Sequence, residues 1–250
     1  MTKPTDGWIL WAGTVGFEGP LIERLDAAVA SGYRRVSLSP LDVRRSSMSP
    51  GDIGRAAADR GLRWILDPVV AWLPASSTWR ELGPFGADEA LAMAADLDVV
   101  SASAIALTSR PQEVGAIADA FAAFCDRAAD AGIDVHLEFV PMTVVADLAT
   151  AWEIVRTADR PNGGLVFDTW HFFRGTPDLD LLAEVPGDRI FAVQVDDAPA
   201  EPAAPLWEDT FHRLLPGDGD FDLSTVMRVL ERTGGLRWIG PEVFSAELAA

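Results

Sequence analysis

The chain has 250 residues, of which 49% are hydrophobic and 23% are charged, an ordinary composition for a globular domain with a large core. Its formal net charge of -18 argues against nucleic acid or an anionic membrane surface as a partner, because both need basic patches. The only lysine, Lys3, lies at the N-terminus, so no catalytic Schiff-base lysine is expected inside the fold.

The cellular location is predicted from the N-terminus and from cysteine usage. The segment MTKPTDGWILWAG lacks the basic, apolar and small-residue regions of a signal peptide. No apolar run reaches the ~20 residues that a membrane-spanning helix needs. A single cysteine, Cys125, excludes an internal disulfide and fits a reducing compartment. We therefore expect a cytoplasmic protein in which Cys125 is an inert core thiol.

Apolar runs alternate with segments of helical periodicity along the whole chain, which is the βα pattern. The strand candidates are residues 8–12, 35–39, 62–67, 98–104, 134–139, 164–168, 190–196 and 238–243. The helix candidates are residues 18–31, 50–60, 86–96, 111–131, 147–158, 178–185 and 222–233. Several glycines follow helix candidates, as left-handed C-caps do; they are Gly32, Gly61, Gly132 and Gly234.

This order of elements predicts one closed (β/α)8 TIM barrel over residues 1–250, in the α/β class. Because the chain ends soon after the eighth strand, the last helix is expected to be short or missing. The longest irregular segments, 68–86 and 197–221, both follow strands and are expected at the catalytic mouth of the barrel.

Oxygen-bearing side chains lie near the ends of four of the predicted strands. They are Glu138 in VHLEFV, Asp168 in GLVFDTWH, Gln194 in FAVQVDD and Glu242 in WIGPEVF. Polar residues at the carboxyl ends of barrel strands converge on one mouth. Three carboxylates and an amide carbonyl held together there would repel each other and lose hydration, and a divalent cation removes both penalties. The sequence therefore predicts a metal centre at this mouth.

The motifs HLEFVP, FDTWHFFRG, QVDDA, HRLLPGDGDFDL and PEVF, in this order, resemble the xylose-isomerase-like TIM barrels, often labelled sugar phosphate isomerases/epimerases. The resemblance implies one divalent metal bound by Glu138, Asp168, Gln194 and Glu242. Many members carry histidine at the third position. Gln194 instead makes an all-oxygen site, which favours Mg or Mn over zinc, with Co as a third candidate.

A second branch of the same superfamily is also similar. Glutamine at position 194 matches the bacterial 3-dehydroshikimate dehydratases, which are lyases, as do His136, His171 and Arg213. No arginine or lysine stands after strands three and four, where those dehydratases would place carboxylate-binding residues, and Arg110 is displaced from these positions.

The chemistry follows from a metal held between carboxylates. A cation bound to a carbonyl and its neighbouring hydroxyl stabilises the enediolate formed when an α proton leaves. Carboxylates on opposite sides of the substrate can act as base and acid. We expect Glu138 and Glu242 to be this catalytic pair, with His171 donating to a substrate oxygen or shuttling a proton.

Substrate-binding residues are predicted around this centre. His136 alternates in phase with Glu138, so it should point into the barrel one layer below the metal. Arg213 is a further candidate, and aromatic walls are expected from tryptophans at or just past strand ends: Trp11, Trp72, Trp170 and Trp207. The mouth segments DPVVAWLP and SASAIALTSR carry few basic residues, which favours a neutral or weakly anionic polyhydroxy or cyclic hydroxy-ketone over a phosphosugar.

Each barrel-facing candidate also has an ordinary structural interpretation. Glu138 can be a buried ion-pair partner, and Asp168 can cap the segment that follows it. Gln194 can be a polar barrel-layer residue away from the metal. His136 can be a core histidine with its hydrogen bonds satisfied.

Structural alternatives apply to the long segment 197–221 as well. Arg213 can be a surface arginine paired with Asp209 or Asp218. Asp196 and Asp197 can support the site or form a solvated turn.

The sequence predicts a metal-dependent isomerase or epimerase with a small-molecule substrate, and a lyase of the dehydratase type is the alternative. DNA repair on the same barrel would need a histidine-rich metal cluster and a basic surface, which three histidines and the charge of -18 oppose. A non-catalytic scaffold is opposed by four intact ligand positions. A homodimer that covers the flank left by the missing helix is a further hypothesis.

Overall fold

The computed structural model describes residues 7–16, 19–73, 85–108 and 110–245. Eight parallel strands pair in chain order. They are β1 Ile9–Leu10, β2 Arg35–Leu38, β3 Arg63–Val69, β4 Ser101–Ile105, β5 Asp134–Glu138, β6 Gly163–Asp168, β7 Ile190–Val195 and β8 Ile239–Pro241. The two ends of the sheet meet where Trp8 forms a parallel bridge with Ile239. The sheet is therefore a nearly closed TIM barrel, as predicted.

Helices alternate with these strands. They are α1 Ala12–Val15, α2 Leu21–Ala30, α3 Pro40–Arg45, α4 Pro50–Asp59, α5 Ala87–Asp96, α6 Val114–Ala129, α7 Leu148–Ala158, α8 Thr169–Arg174, α9 Leu179–Glu184, α10 Leu206–Asp209 and α11 Leu223–Thr233. A short 3-10 helix, Gly187–Arg189, precedes β7. Among the described residues, every helix is too short or too polar to span a lipid bilayer.

The predicted elements are present, with differences at their ends. All eight strands and all seven predicted helices are found, and the four glycines predicted as C-caps have positive φ. Strand β4 begins at Ser101 because Asp98 has a left-handed backbone (φ 54°), which a strand cannot include. Helices α1, α3, α8 and α10 were not predicted, because four to six residues are too few for a helical period to appear.

The core has two layers. Inside the barrel, a cluster of five buried side chains fills the space between the strands: Ile9, Trp11, Ile65, Val166 and Ala192. Outside it, the strands pack against helices, and α6 contributes Phe121, Phe124 and the fully buried Cys125. Burial raises the pKa of the Cys125 thiol to about 12, so the thiolate does not form near neutral pH. The prediction of a core thiol is confirmed.

Strand register brings the predicted site residues to one end of the barrel. Glu138 and Asp168 are the last residues of β5 and β6, and Asp168 lies opposite Gln194 of β7. Gln194 in turn lies opposite Gly240 of β8, and the N–H of Glu242 donates to Val195 at 3.1 Å. Four consecutive strands therefore present these side chains at their carboxyl ends.

The two irregular segments and the chain end are described in part. Segment 197–221 folds back through an antiparallel bridge between Asp197 and Leu214. In segment 68–86, strand β3 extends to Val69, and residues 74–84 lie outside the described ranges. No helix follows β8 as far as Ser245, where the described residues end. The homodimer stays a prediction.

Closure of the barrel depends on the absence of a side chain at Gly240. A Cβ at this position would overlap the backbone carbonyl of Ile9 in β1. We expect Gly240→Ala to lower the free energy of unfolding by about 3 kcal/mol or more, because two backbone segments would have to separate. Urea denaturation measures this. Gly115→Ala, at an exposed position of α6 with nothing near its Cβ, should be neutral or stabilise by up to about 1 kcal/mol. Equal stability of the two variants would contradict this packing argument.

Candidate metal centre

Three side chains form the centre of the site. Oxygen or nitrogen atoms of Glu138, Asp168 and His171 all lie within 4.8 Å of one another, and all three residues are buried. Glu138 and Asp168 occupy strand ends, while His171 lies in the first turn of α8, directly after β6. This short helix aims the imidazole back over the barrel.

Hydrogen bonds fix the orientation of these three groups. Oδ1 of Asp168 accepts from the backbone N–H of His171 at 2.7 Å, so Asp168 caps α8 while also lining the site. Nε2 of His171 lies 3.1 Å from Oε1 of Glu138. The Ser103 hydroxyl donates to Oε2 of Glu138 at 3.1 Å. Asp168 therefore has both of the roles considered for it in the sequence.

Arg213 is brought into the site by segment 197–221 and is only 2% exposed. Its Nη1 donates to Oδ2 of Asp168 at 2.8 Å and to Oδ2 of Asp196 at 2.5 Å, and it lies 3.6 Å from Oε2 of Glu242. The pairing of Arg213 with Asp209 is not found, since Asp209 binds Arg174 at 2.8 Å. The interpretation of Arg213 as a surface arginine is wrong.

Gln194 is fully buried at the same end of the barrel. Neither its Oε1 nor its Nε2 has a hydrogen-bond partner among the residues that the structure describes. A buried amide without partners is costly, because its lost hydration is not replaced. A cation bound by Oε1 would satisfy the carbonyl, so Gln194 fits the predicted ligand set.

Sequence reasoning missed Asp67, which is 7% exposed in β3. Burial and the charge of Glu138 raise the pKa of Asp67 to about 8, although hydrogen bonds from Ser103 and Ser37 oppose the shift. The signal was available, since Asp67 ends the predicted third strand just as Asp168 ends the sixth. The strand-end rule applied consistently would have included it.

The two aspartates after β7 have separate roles. Asp196 is fully buried, binds Arg213, and accepts from the Thr169 hydroxyl at 2.6 Å. Burial and the charge of Asp168 raise the pKa of Asp196 well above its usual range. Asp197 accepts from the backbone N–H groups of Ala198, Gly217 and Phe221, so it organises segment 197–221. Neither residue forms a solvated turn.

The balance of charge in this region favours a bound cation. Five carboxyl groups are buried at this end of the barrel, those of Asp67, Glu138, Asp168, Asp196 and Glu242, and one buried guanidinium, that of Arg213, lies beside the last three of them. Burial, together with the charges of Asp67 and Glu138, raises the pKa of Glu242 well above its usual range. Protons or a divalent cation must offset the remaining negative charge. The donor set of carboxylates, an amide and an imidazole fits a divalent metal.

The predicted substrate-binding residues lie at different depths. His136 is buried, 3.0 Å from the Ser101 hydroxyl and edge-on to Trp11, one layer below Glu138. Burial lowers the pKa of His136 to about 3, so its imidazole is neutral. Trp170 is buried with its ring 5.1 Å from the Arg213 guanidinium. Trp72 is not brought to the site, because it packs on the outer core and donates to the Ile105 carbonyl.

The fold and the site define a class of protein: a parallel (β/α)8 barrel with a buried acidic cluster at the carboxyl ends of its strands. The chain belongs to the xylose isomerase-like TIM barrel family, whose model matches residues 25–250.

Two curated relatives are enzymes of different kinds. A 3-dehydroshikimate dehydratase of Pseudomonas aeruginosa is 29% identical over 238 residues, which cover 93% of this chain and 37% of that protein. An inosose isomerase of Bacillus subtilis is 32% identical over 131 residues, which cover 52% of this chain and 46% of that protein. The matches therefore span less than half of each relative's length.

A solved structure shows the same fold. The IOLI protein, crystallised with a bound zinc atom, is 22% identical and superposes with a TM-score of 0.79 over 97% of this chain and 90% of that chain.

The raised pKa values predict how the stability of the metal-free protein depends on pH. Between about pH 4 and pH 8 the folded state keeps a proton on Asp67 that the unfolded chain releases. The free energy of unfolding should therefore fall as pH rises through this window. For one group the slope is at most about 1.4 kcal/mol per pH unit. Urea denaturation in EDTA from pH 5 to pH 8 measures it.

The variant Asp67→Asn tests the assignment of this slope. It removes one of the titrating groups and should reduce the slope by up to about 1.4 kcal/mol per pH unit, leaving the part due to Asp196 and Glu242, whereas Asp96→Asn, at an exposed position of α5, should leave the slope unchanged. An unaltered slope in Asp67→Asn would show that other groups cause it.

Proposed function

We propose that this protein is a divalent-metal-dependent isomerase or epimerase that removes the α proton of a hydroxy-carbonyl compound through an enediolate. The observation that carries the proposal is the convergence of buried carboxyl groups and the unpartnered Gln194 amide on one end of the barrel. Family membership and two enzyme relatives support it.

The proposed metal ligands are Glu138, Asp168, Gln194 and Glu242, from four consecutive strands. Mn or Mg is favoured because all four donors are oxygens, and Co remains a third candidate. A cation bound there would polarise the substrate carbonyl and offset the charge that develops as the α proton leaves. Nε2 of His171 lies beside these ligands, 3.1 Å from Oε1 of Glu138.

The chain's own residues then supply the proton transfers. Glu138 and Glu242 come from β5 and from the end of β8, and their separation along the barrel supports the proposal that they flank the substrate. One can accept the α proton while the other returns a proton to the neighbouring carbon. His171 holds Oε1 of Glu138 and is positioned to relay a proton or to donate to a substrate oxygen. The three residues thus form the proposed catalytic group.

The remaining buried groups shape the binding site. Nη1 of Arg213 donates to both Asp168 and Asp196, so these carboxylates offset the positive charge of Arg213. This favours a neutral or weakly anionic substrate over a phosphosugar. Trp170 and Trp11 are proposed as apolar walls, with His136 below them. The proposed partner is a small molecule, not nucleic acid or a membrane, and the cytoplasmic location stays a prediction.

A second candidate function is a lyase of the dehydratase type. The relative that covers 93% of this chain is named 3-dehydroshikimate dehydratase, whereas the inosose isomerase covers 52%. Both reactions begin with loss of an α proton. They differ in whether the enediolate regains a proton or expels a β-hydroxyl group.

Metal binding tests the proposed ligand set directly. Gln194→Leu keeps the side-chain size but removes the carbonyl, so we expect the Kd for Mn, measured by calorimetry, to rise by about tenfold or more. Glu242→Gln should weaken binding similarly. Glu231→Gln, at an exposed position of α11, is the matched control and should bind Mn as the unaltered protein does. Unchanged affinity in both site variants would reject this ligand set.

Proton exchange tests the reaction. The Mn-loaded protein is incubated in D2O with ketoses, inososes and dehydroshikimate, and followed by NMR. Deuterium at an α position together with isomer formation, both abolished by EDTA and by Glu138→Gln, is the expected result. Loss of water to an aromatic or enone product would assign the lyase instead. No exchange with any substrate, although metal is bound, would contradict both assignments.

A further inference from the structure

A cavity of about 280 Å³ opens at the opposite end of the barrel from the candidate metal centre. Polar and aromatic side chains at the amino ends of five strands line it: Arg35, Ser101, Asp134, Phe191, Arg237 and Trp238. Its floor is formed by Ile9, Ile65 and Ala192, and the latter two lie two residues before the site residues Asp67 and Gln194 on their strands. The barrel interior therefore separates this cavity from the metal centre.

The guanidinium of Arg35 is held in place but is not neutralised. Its Cζ lies 3.3 Å from the centre of the Trp238 ring, so the two planes are in contact. Stacking uses the face of a guanidinium and leaves its in-plane N–H groups available as donors. Within the described ranges, no carboxylate lies within 4 Å of Arg35 or Arg237.

The surroundings of the cavity are positively charged in an otherwise acidic protein. Arg63, exposed at the start of β3, is close enough to Arg35 for the two charges to interact. Asp134 is the only carboxylate in the lining, and it interacts with Arg35 and Arg237 without an ion pair at contact distance. Two guanidinium groups and one carboxylate thus line the cavity, with the guanidinium of Arg63 outside it, whereas the whole chain has a net charge of -18. Such a local excess of positive charge attracts small anions.

We propose that this cavity binds a small carboxylate attached to a flat ring. The N–H groups of Arg35 and Arg237 match the oxygens of a carboxylate, while Trp238 and Phe191 offer surfaces for the ring. The Ser101 hydroxyl makes one hydrogen bond, to His136, and has capacity for a second. The volume lies just below the range of about 300–1,000 Å³ for ligand pockets, which suits a single ring. Asp134 disfavours anions of higher charge, such as phosphate.

This site is independent of the proposed reaction. None of its lining residues belongs to the metal centre, and binding requires no metal. If the proposed function is wrong, the ring-carboxylate site is unaffected. If the ring-carboxylate site is wrong, the proposed function is unaffected.

Calorimetric titration of the full chain with benzoate tests the proposal. We expect one benzoate per chain, with the same Kd in EDTA and in Mn. Arg35→Gln and Arg237→Gln should each raise that Kd by about tenfold. Arg63→Gln is the matched control, because it removes the same charge from the same face without lining the cavity, and its effect should stay within about twofold. Asp134→Asn should tighten binding, because it removes a repelling carboxylate.

Two further measurements keep the test decisive. Arg237 is exposed, so its variant should fold even if loss of the Arg35 stack destabilises the barrel, and circular dichroism checks this. Indole NMR signals, assigned with Trp238→Phe, should shift at Trp238 and not at Trp170 on adding benzoate. Absence of binding, an equal loss in Arg63→Gln, or competition with Mn would overturn the proposal. Equal affinity for inorganic phosphate would reduce the site to a general anion site and overturn the ring specificity.

Discussion

The buried negative charge at the carboxyl end of the barrel is the constraint on which the site depends. Five buried carboxyl groups lie at this end with one guanidinium, and Nη1 of Arg213 lies within 4 Å of three of them, those of Asp168, Asp196 and Glu242. Such a cluster persists only where protons or cations offset its charge, since isolated buried carboxylates are strongly destabilised. The raised pKa values of Asp67, Asp196 and Glu242 express the same cost. Burial of this cluster therefore lowers stability and holds its carboxyl groups ready for the proposed cation.

The barrel confines the buried acidic cluster to one end of the molecule. Apolar side chains such as Ile65, Val166 and Ala192 fill the interior below the acidic cluster. They keep the acidic cluster apart from the arginine-rich opening at the amino ends of the strands. Gly240 allows β8 to approach β1 closely enough to complete the enclosure. One continuous sheet can therefore hold a negatively charged cluster at one end and a positively charged opening at the other.

The fold and most of the cluster could be predicted from the sequence, because strands buried on both faces appear as continuous apolar runs. The residue that ends such a run lies at the barrel mouth, which identified Glu138 and Asp168. Arg213 was placed in the site by resemblance, but its partners depend on how segment 197–221 folds back, and no local pattern encodes that. Trp72 was predicted at the site but packs in the outer core. The sequence could not separate these two positions, because a tryptophan that follows a strand looks the same in both.

The proposed chemistry is compatible with similarity to both an isomerase and a dehydratase. Buried carboxylates around a cation favour one event, the loss of a proton beside a carbonyl, and this event is common to both reactions. The outcome is decided afterwards, by whichever proton donor lies near the second carbon or the departing hydroxyl. His171 is fixed by Asp168 on one side and by Glu138 on the other, so its imidazole is hydrogen-bonded to one of the two glutamates proposed to transfer protons. In the proposed scheme, the loss of the α proton is the same in both reactions. The proton donors around the substrate then decide whether a proton returns or a hydroxyl group leaves.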